Sequence, residues 1–125
     1  MAVSEAIENY LETIYILSKQ KSEVHAIDIC AHLSYSRPTV SIVLGKLRDA
    51  GLVTVNEDNH IYLTDEGLAI AKHMFERHEL LTQLFVSLGV SRETAQHDAC
   101  KIEHDLSEET FDALKKHFEQ YGQNE

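Results

Sequence analysis

The residues best suited to metal chemistry are Cys100, Glu103 and His104, which lie in one short segment. Positions three and four apart on a helix share a face, so this spacing presents a thiolate, a carboxylate and an imidazole together. That mixture of donors suits borderline divalent ions such as Fe²⁺, Co²⁺, Ni²⁺ and Zn²⁺. The sequence therefore predicts a transition-metal site around this segment.

Donors in other segments can complete such a site if the helices pack together. Asn9 and Glu12 lie near the N-terminus, and His78 and Glu79 lie in the middle of the chain. Each also has an ordinary structural interpretation. Asn9 and Glu12 fit the polar face of an amphipathic helix, and an isolated cysteine such as Cys100 is often a small buried hydrophobe.

The other histidines give a weaker signal. His97, three residues before Cys100, either joins the site or stays solvated. The remaining histidines are predicted to lie at the surface: His25, His32, His60, His73 and His117.

An enzymatic metal motif is only partly present. The segment His78–Thr82 begins like the HExxH zinc-protease motif, but Thr82 stands where the second imidazole is needed. The sequence contains no nucleophile elbow and no phosphate-binding loop. We therefore do not expect an enzyme.

A second group of residues, in a helix predicted over residues 37–50, has the chemistry to contact DNA. Lys46 and Arg48 can bind the phosphate backbone, hydroxyls at the helix start can reach base edges, and Ile42 can pack on a thymine methyl group. The ordinary alternative is a solvated helix face. The predicted DNA-contacting residues are Ser36, Arg37, Pro38, Thr39, Ser41, Ile42, Lys46 and Arg48.

Helices and one hairpin must position these groups. Apolar periodicity predicts helices over residues 4–19, 26–33, 37–50, 64–88, 91–105 and 107–121, and β-type runs at 52–55 and 61–63 predict a hairpin. Three helices followed by a hairpin is the order of a winged helix-turn-helix. The predicted fold is mainly α, with that module over residues 1–63 and a helical domain over residues 64–125.

Composition limits the class of protein. The chain has 125 residues and a net charge of −10, with 13 of its 21 acidic residues from residue 64 onward. Such a charge argues against indiscriminate nucleic-acid binding. No apolar run is long enough to span a membrane, and no basic leader precedes an apolar segment. Two widely separated cysteines favour reduced thiols and a cytoplasmic location.

Several of these segments, in this order, resemble the diphtheria toxin repressor and manganese transport regulator family of metalloregulators. The likeness is carried by Asn9–Tyr15, Ser36–Ser41, Asp49–Val53, Leu63–Gly67, Arg77–Leu81 and Cys100–His104. The resemblance implies a homodimeric transcriptional repressor of metal-uptake genes, which binds double-stranded operator DNA with Fe²⁺ or Mn²⁺ as corepressor. It implies metal binding and dimerisation by residues 64–125, and it places the ligands at Asn9, Glu12, His78, Cys100, Glu103 and His104.

The chain departs from both branches of that family. The manganese branch has Asp in place of Asn9 and Glu in place of Cys100, whereas the iron branch has Met and Cys there. Glu12 is manganese-like, and Thr82 stands where the iron branch carries a glutamate. The choice between Fe²⁺ and Mn²⁺ therefore stays open, and Co²⁺, Ni²⁺ or Zn²⁺ are expected to substitute in vitro.

The resemblance implies a mechanism in which a bound ion neutralises repelling carboxylates and narrows the orientations of the DNA-binding halves. Recognition helices of a dimer then enter successive major grooves, about 34 Å apart. One alternative is a winged-helix regulator that senses a small ligand or oxidation of Cys100, and it predicts DNA binding that ignores chelators. The other is a small metalloenzyme using the Cys100–His104 segment, which would need an open coordination position.

Overall fold

The computed structural model describes residues 4–122, and its elements follow the predicted order. Three helices and a two-stranded hairpin are followed by three further helices and a π-helical turn. The helices are α1 (Glu5–Gln20), α2 (Ala26–Leu33), α3 (Arg37–Asp49), α4 (Asp65–Ser87), α5 (Arg92–Ile102) and α6 (Glu108–His117), the strands are β1 (Val53–Val55) and β2 (Ile61–Leu63), and the π-helical turn is Phe118–Gly122. The predicted mainly-α fold is confirmed.

Side-chain caps fix where the helices begin. Ser4, Ser36, Ser91 and Ser107 each accept a hydrogen bond from the backbone N–H three residues further on. The hydroxyl of Thr64 does the same before α4. Such caps satisfy backbone donors that have no partner within the helix. These starts depend on local sequence alone, which is why the sequence predicts them.

The chain divides into two compact units, the first extending to His73 and the second beginning at Met74. The first unit packs α1, α2, α3 and the hairpin around one apolar core, whose innermost members include Leu11, Ile29, Val40 and Leu47. The strands are antiparallel, with Val53 opposite Leu63. This is the predicted winged helix-turn-helix, and the wing is defined here as β1, β2 and the turn 56–60.

The predicted domain boundary between residues 63 and 64 lies at the start of α4, whereas the two units divide within that helix. The domain assignment therefore stays a prediction. None of the helices within residues 4–122 has the length and apolar character needed to cross a bilayer.

The second unit differs from expectation at two helix ends. The sequence predicts a fifth helix that reaches residue 105, but α5 ends at Ile102 and leaves Glu103 and His104 in a turn. The N–H of Asp105 donates to the carbonyl of Ile102, three residues back, so the chain leaves the α-helical hydrogen-bond pattern here. The sixth helix is regular only to His117, after which the chain continues as the π-helical turn.

Gly67 marks a close approach within the first unit. A Cβ at this position would overlap the carbonyl oxygen of Leu52. The same two segments are joined by the Thr64 hydroxyl, which donates to the Gly51 carbonyl at 2.7 Å. The first turn of α4 is thus held against the chain before β1, and only glycine fits.

Gly67→Ala should therefore destabilise the first unit by about 1–3 kcal/mol, because the backbone has to shift to relieve the overlap. Gly45→Ala is the matched control, since nothing lies within 4 Å of a Cβ at Gly45 and that glycine sits inside α3. Urea denaturation followed by circular dichroism should show a lower midpoint for Gly67→Ala alone. Equal midpoints for the two variants would contradict the close approach.

Candidate metal centre and DNA-binding face

The side chain of Glu103 is the centre of a buried cluster in the second unit. It is 0% exposed, and its Oε2 lies 3.0 Å from Nδ1 of His78. Its Oε1 lies 3.4 Å from Nε2 of His104, whose side chain is 3% exposed. The structure thus brings together three of the predicted ligands, which are called the His78–Glu103–His104 cluster below.

The electrostatics of this cluster fit a divalent cation. Burying a carboxylate is unfavourable unless its charge and lone pairs are matched. The hydrogen bond with Glu103 raises the pKa of His78 above its ordinary value, against the opposing effect of burial. Within residues 4–122, Glu103 Oε1 is a buried oxygen with no hydrogen-bond partner. An orphaned carboxylate oxygen beside imidazole donors matches the ligand set of a borderline divalent ion.

Arg77 holds the turn that carries Glu103. It is 3% exposed, and its Nη1 donates to the carbonyls of Glu103 at 2.9 Å and Leu106 at 2.6 Å. Its Nη2 donates to a carboxylate oxygen of Glu108 at 2.7 Å. The guanidinium carbon also lies 5.1 Å from the centroid of the Phe111 ring. Because Arg77 precedes His78 on α4, one short segment both holds this turn and contacts its carboxylate.

The role of Arg77 was not predicted from the sequence. Its position could have indicated a buried role, because Arg77 lies in the apolar stripe of α4 between the buried residues Met74 and Leu81. An arginine at such a position must find hydrogen-bond acceptors inside the protein.

The other predicted ligands lie on α1 and α5. Asn9 is half-buried and Glu12 is buried, both on α1 of the first unit. Cys100 is exposed on α5. His97 is also exposed, with Nδ1 3.8 Å from an oxygen of Asp98. A ligand role for Asn9, Glu12 and Cys100 stays a prediction.

The outer face of α3 presents the predicted DNA-contacting groups. Val40, Leu44 and Leu47 turn into the core, which leaves the opposite side of the helix to solvent. The Ser36 and Thr39 hydroxyls lie 2.8 Å apart and brace the helix start. The exposed residues of this face are Ser36, Arg37, Pro38, Thr39, Ser41, Ile42, Lys46 and Arg48.

A cleft of about 440 Å³ separates this face from the wing. Arg37, Ser41 and Arg48 line it from α3, and Asp58 and Asn59 line it from the wing. Ile42 is 63% exposed, so its side chain is available to pack against an apolar group of a partner. The basic side of the cleft belongs to the helix, and the wing contributes acidic and amide groups.

Comparison with known proteins covers nearly the whole chain. Residues 2–61 match the family model described as iron dependent repressor, N-terminal DNA binding domain. Residues 64–124 match the model described as iron dependent repressor, metal binding and dimerisation domain.

Curated relatives are similar over most of this chain. It is 36% identical over 118 residues to the transcriptional regulator MntR of Escherichia coli O6:H1, covering 94% of this chain and 76% of MntR. It is 34% identical over 113 residues to the iron-dependent repressor IdeR of Mycobacterium bovis, covering 90% of this chain and 49% of IdeR.

Solved structures share the fold. A manganese-dependent transcriptional repressor in complex with manganese superposes with a TM-score of 0.83 at 25% identity, covering 90% of this chain and 52% of that one. The IdeR of T. acidophilum gives a TM-score of 0.80 at 25% identity, covering 98% and 55%. The chain thus spans about half the length of these two solved proteins.

Proposed function

Because the chain belongs to the iron-dependent repressor family of transcriptional regulators, we propose that it is a repressor that binds operator DNA when Fe²⁺ or Mn²⁺ is bound. The observation that carries the metal dependence is the buried Glu103 carboxylate, with one orphaned oxygen and two imidazoles beside it. Family membership sets the metalloenzyme alternative aside, because the members are regulators and not enzymes.

The proposed ligand set keeps the six residues predicted from the sequence: Asn9, Glu12, His78, Cys100, Glu103 and His104. When bound, a divalent ion supplies positive charge to carboxylates that otherwise repel one another. The two imidazoles would donate nitrogen lone pairs to the ion, and Arg77 keeps the Glu103 turn in place through its bond to the Glu103 carbonyl. Ligands on α1 would make the DNA-binding half respond to the ion.

We propose that the repressor acts as a homodimer in the cytoplasm. The matched metal-binding and dimerisation model supports the dimer. Two α3 helices of such a dimer would enter successive major grooves about 34 Å apart, so the operator should be a palindrome. Controlling genes of metal uptake is the use that fits a repressor activated by the metal itself.

Lys46→Ala and Arg48→Ala test the proposed DNA face, since both side chains are exposed on α3. Each substitution should weaken operator binding and lower the slope of log affinity against log salt by about 1 for each phosphate that is no longer neutralised. Arg92→Ala is the matched control, because Arg92 is exposed at the start of α5.

The measurement is fluorescence anisotropy in Mn²⁺ at several salt concentrations. The duplex is a palindrome enriched by the wild-type protein from a random pool. If both α3 variants keep the wild-type slope and affinity, this face of α3 is not the DNA-binding surface.

A further inference from the structure

A second group of metal-binding side chains lies in the first unit, away from the His78–Glu103–His104 cluster in the sequence and in a different unit. It consists of Glu23, His25 and His60, whose donor atoms all lie within 4.8 Å of one another. Glu23 Oε2 is 3.3 Å from Nε2 of His60 and 3.9 Å from Nε2 of His25. The two imidazole rings are nearly perpendicular, with centroids 4.7 Å apart.

Backbone pairing between two segments creates this arrangement. The N–H of Ile61 donates to the carbonyl of Val24 at 2.8 Å, which joins the loop before α2 to strand β2. Val24 and Ile61 are buried. Side chains alternate along an extended chain, so Glu23 and His25 share the side opposite Val24. His60, directly before Ile61, completes the group from the wing.

Further hydrogen bonds fix the two histidines at the backbone. The Asp28 carboxylate accepts from the N–H of His25 at 2.8 Å and from the Lys21 ammonium at 2.8 Å. The Asn56 side chain accepts from the N–H of His60 at 2.9 Å. The His60 side chain is only 15% exposed, so its ring is packed into the fold. The backbone of both histidines is therefore held in place, and the His60 ring is also held by packing.

The expectation that His60 is a surface residue is wrong, because its side chain is only 15% exposed. His25 and His73, also predicted at the surface, are half-buried. The proximity of His25 and His60 could not be predicted, because the two residues lie far apart in the sequence. The sequence feature that could have indicated it is a pair of alternating segments, each with an apolar residue in the middle: Glu23–His25 and His60–Tyr62.

The distances suit a small borderline ion. Nitrogen and oxygen donors at zinc–ligand bond lengths in a tetrahedral site lie about 3.3 Å apart. The Glu23 side chain is 56% exposed and can adjust its position around the two imidazole rings. Two imidazoles and one carboxylate favour Zn²⁺, Co²⁺ or Ni²⁺ over the hard ions Ca²⁺ and Mg²⁺, and they leave a fourth position for water.

We propose that Glu23, His25 and His60 form a second metal site that takes Zn²⁺ or a similar borderline divalent ion and ties the loop before α2 to the wing. His25 also lines the cleft between the wing and α3. A cation here would add positive charge at the edge of a cleft that Asp58 also lines. The site is independent of the proposed repressor function, since it needs no DNA and no ligand of the first centre.

The test is Zn²⁺ binding by the full chain carrying Cys100→Ser and Glu103→Gln, which weaken the first centre. Adding His60→Gln should remove one Zn²⁺ per chain, with a loss of affinity of at least about 100-fold. Adding His32→Gln instead is the matched control, because His32 is exposed on α2 outside the group. Competition with a chromogenic chelator measures affinity, and visible bands of tetrahedral Co²⁺ report the geometry.

Glu23→Gln provides a second variant, because its exposed side chain can be changed without disturbing the core. It should weaken Zn²⁺ binding at least about tenfold and reduce the thermal stabilisation that Zn²⁺ gives. The proposal is overturned if Zn²⁺ binds with the same affinity and stoichiometry in all three chains: His60→Gln, Glu23→Gln and His32→Gln. The group would then be a histidine–carboxylate cluster with no role in metal binding.

Discussion

Glu103→Gln should abolish tight Mn²⁺ and Fe²⁺ binding while leaving the chain folded. The substitution keeps the size of the side chain and removes the only carboxylate of the His78–Glu103–His104 cluster. A neutral amide cannot supply the negative charge that a divalent ion requires, so affinity should fall at least about 100-fold. Operator binding should then no longer respond to added metal. Calorimetric titration with Mn²⁺ and anisotropy with the operator duplex measure the two effects.

Glu93→Gln is the matched control, since Glu93 is exposed in the first turn of α5. It changes the net charge by the same amount and should keep wild-type metal affinity. Circular dichroism and size-exclusion chromatography should show that the Glu103→Gln chain is folded and has the wild-type oligomeric state. Wild-type Mn²⁺ affinity in the Glu103→Gln chain would remove this residue from the centre.

Arg77→Ala should destabilise the second unit by about 1–3 kcal/mol for each buried carbonyl that loses its hydrogen-bond donor. The substitution leaves the carbonyls of Glu103 and Leu106 without their side-chain donor. It also removes the guanidinium that packs on Phe111. Because the turn 103–106 then loosens, metal affinity should fall as well. Chemical denaturation and Mn²⁺ titration of the same preparation measure both effects.

Glu108→Gln separates the backbone contacts of Arg77 from its ion pair. The Glu108 side chain is 66% exposed, so solvent screens its attraction to Arg77. Glu108→Gln should lower the free energy of unfolding by less than about 1 kcal/mol and leave metal affinity unchanged. Denaturation midpoints that coincide for Arg77→Ala and Glu108→Gln would show that the bonds to the two carbonyls contribute little.

The order of elements and the outer face of α3 were predictable because they depend on short-range patterns. Helix caps such as Ser36 act on a backbone group three residues away. Gly51, directly after the C-cap of α3, has a φ of 76°, a left-handed conformation that glycine adopts at little cost. The residues of α3 alternate between core and solvent with the helical period.

The contacts that shape the two candidate centres could not be predicted, because they join residues far apart in sequence. Arg77 reaches carbonyls 26 and 29 residues away. The hydrogen bond between Ile61 and Val24 brings His60 close to Glu23, and the periodicity of neither segment predicts that bond.

Operator binding at controlled metal availability tests the central claim most directly. The measurement is anaerobic fluorescence anisotropy of the enriched palindromic duplex at fixed salt, with Fe²⁺, with Mn²⁺ or with excess chelator. We predict tight, saturable binding with an ion present and its loss in chelator, and the more effective ion would decide between iron and manganese. If the affinity for the operator is the same in chelator as with metal, metal-dependent binding is contradicted. The face of α3 would still be the DNA-binding surface, and another group such as Cys100 would be the sensor.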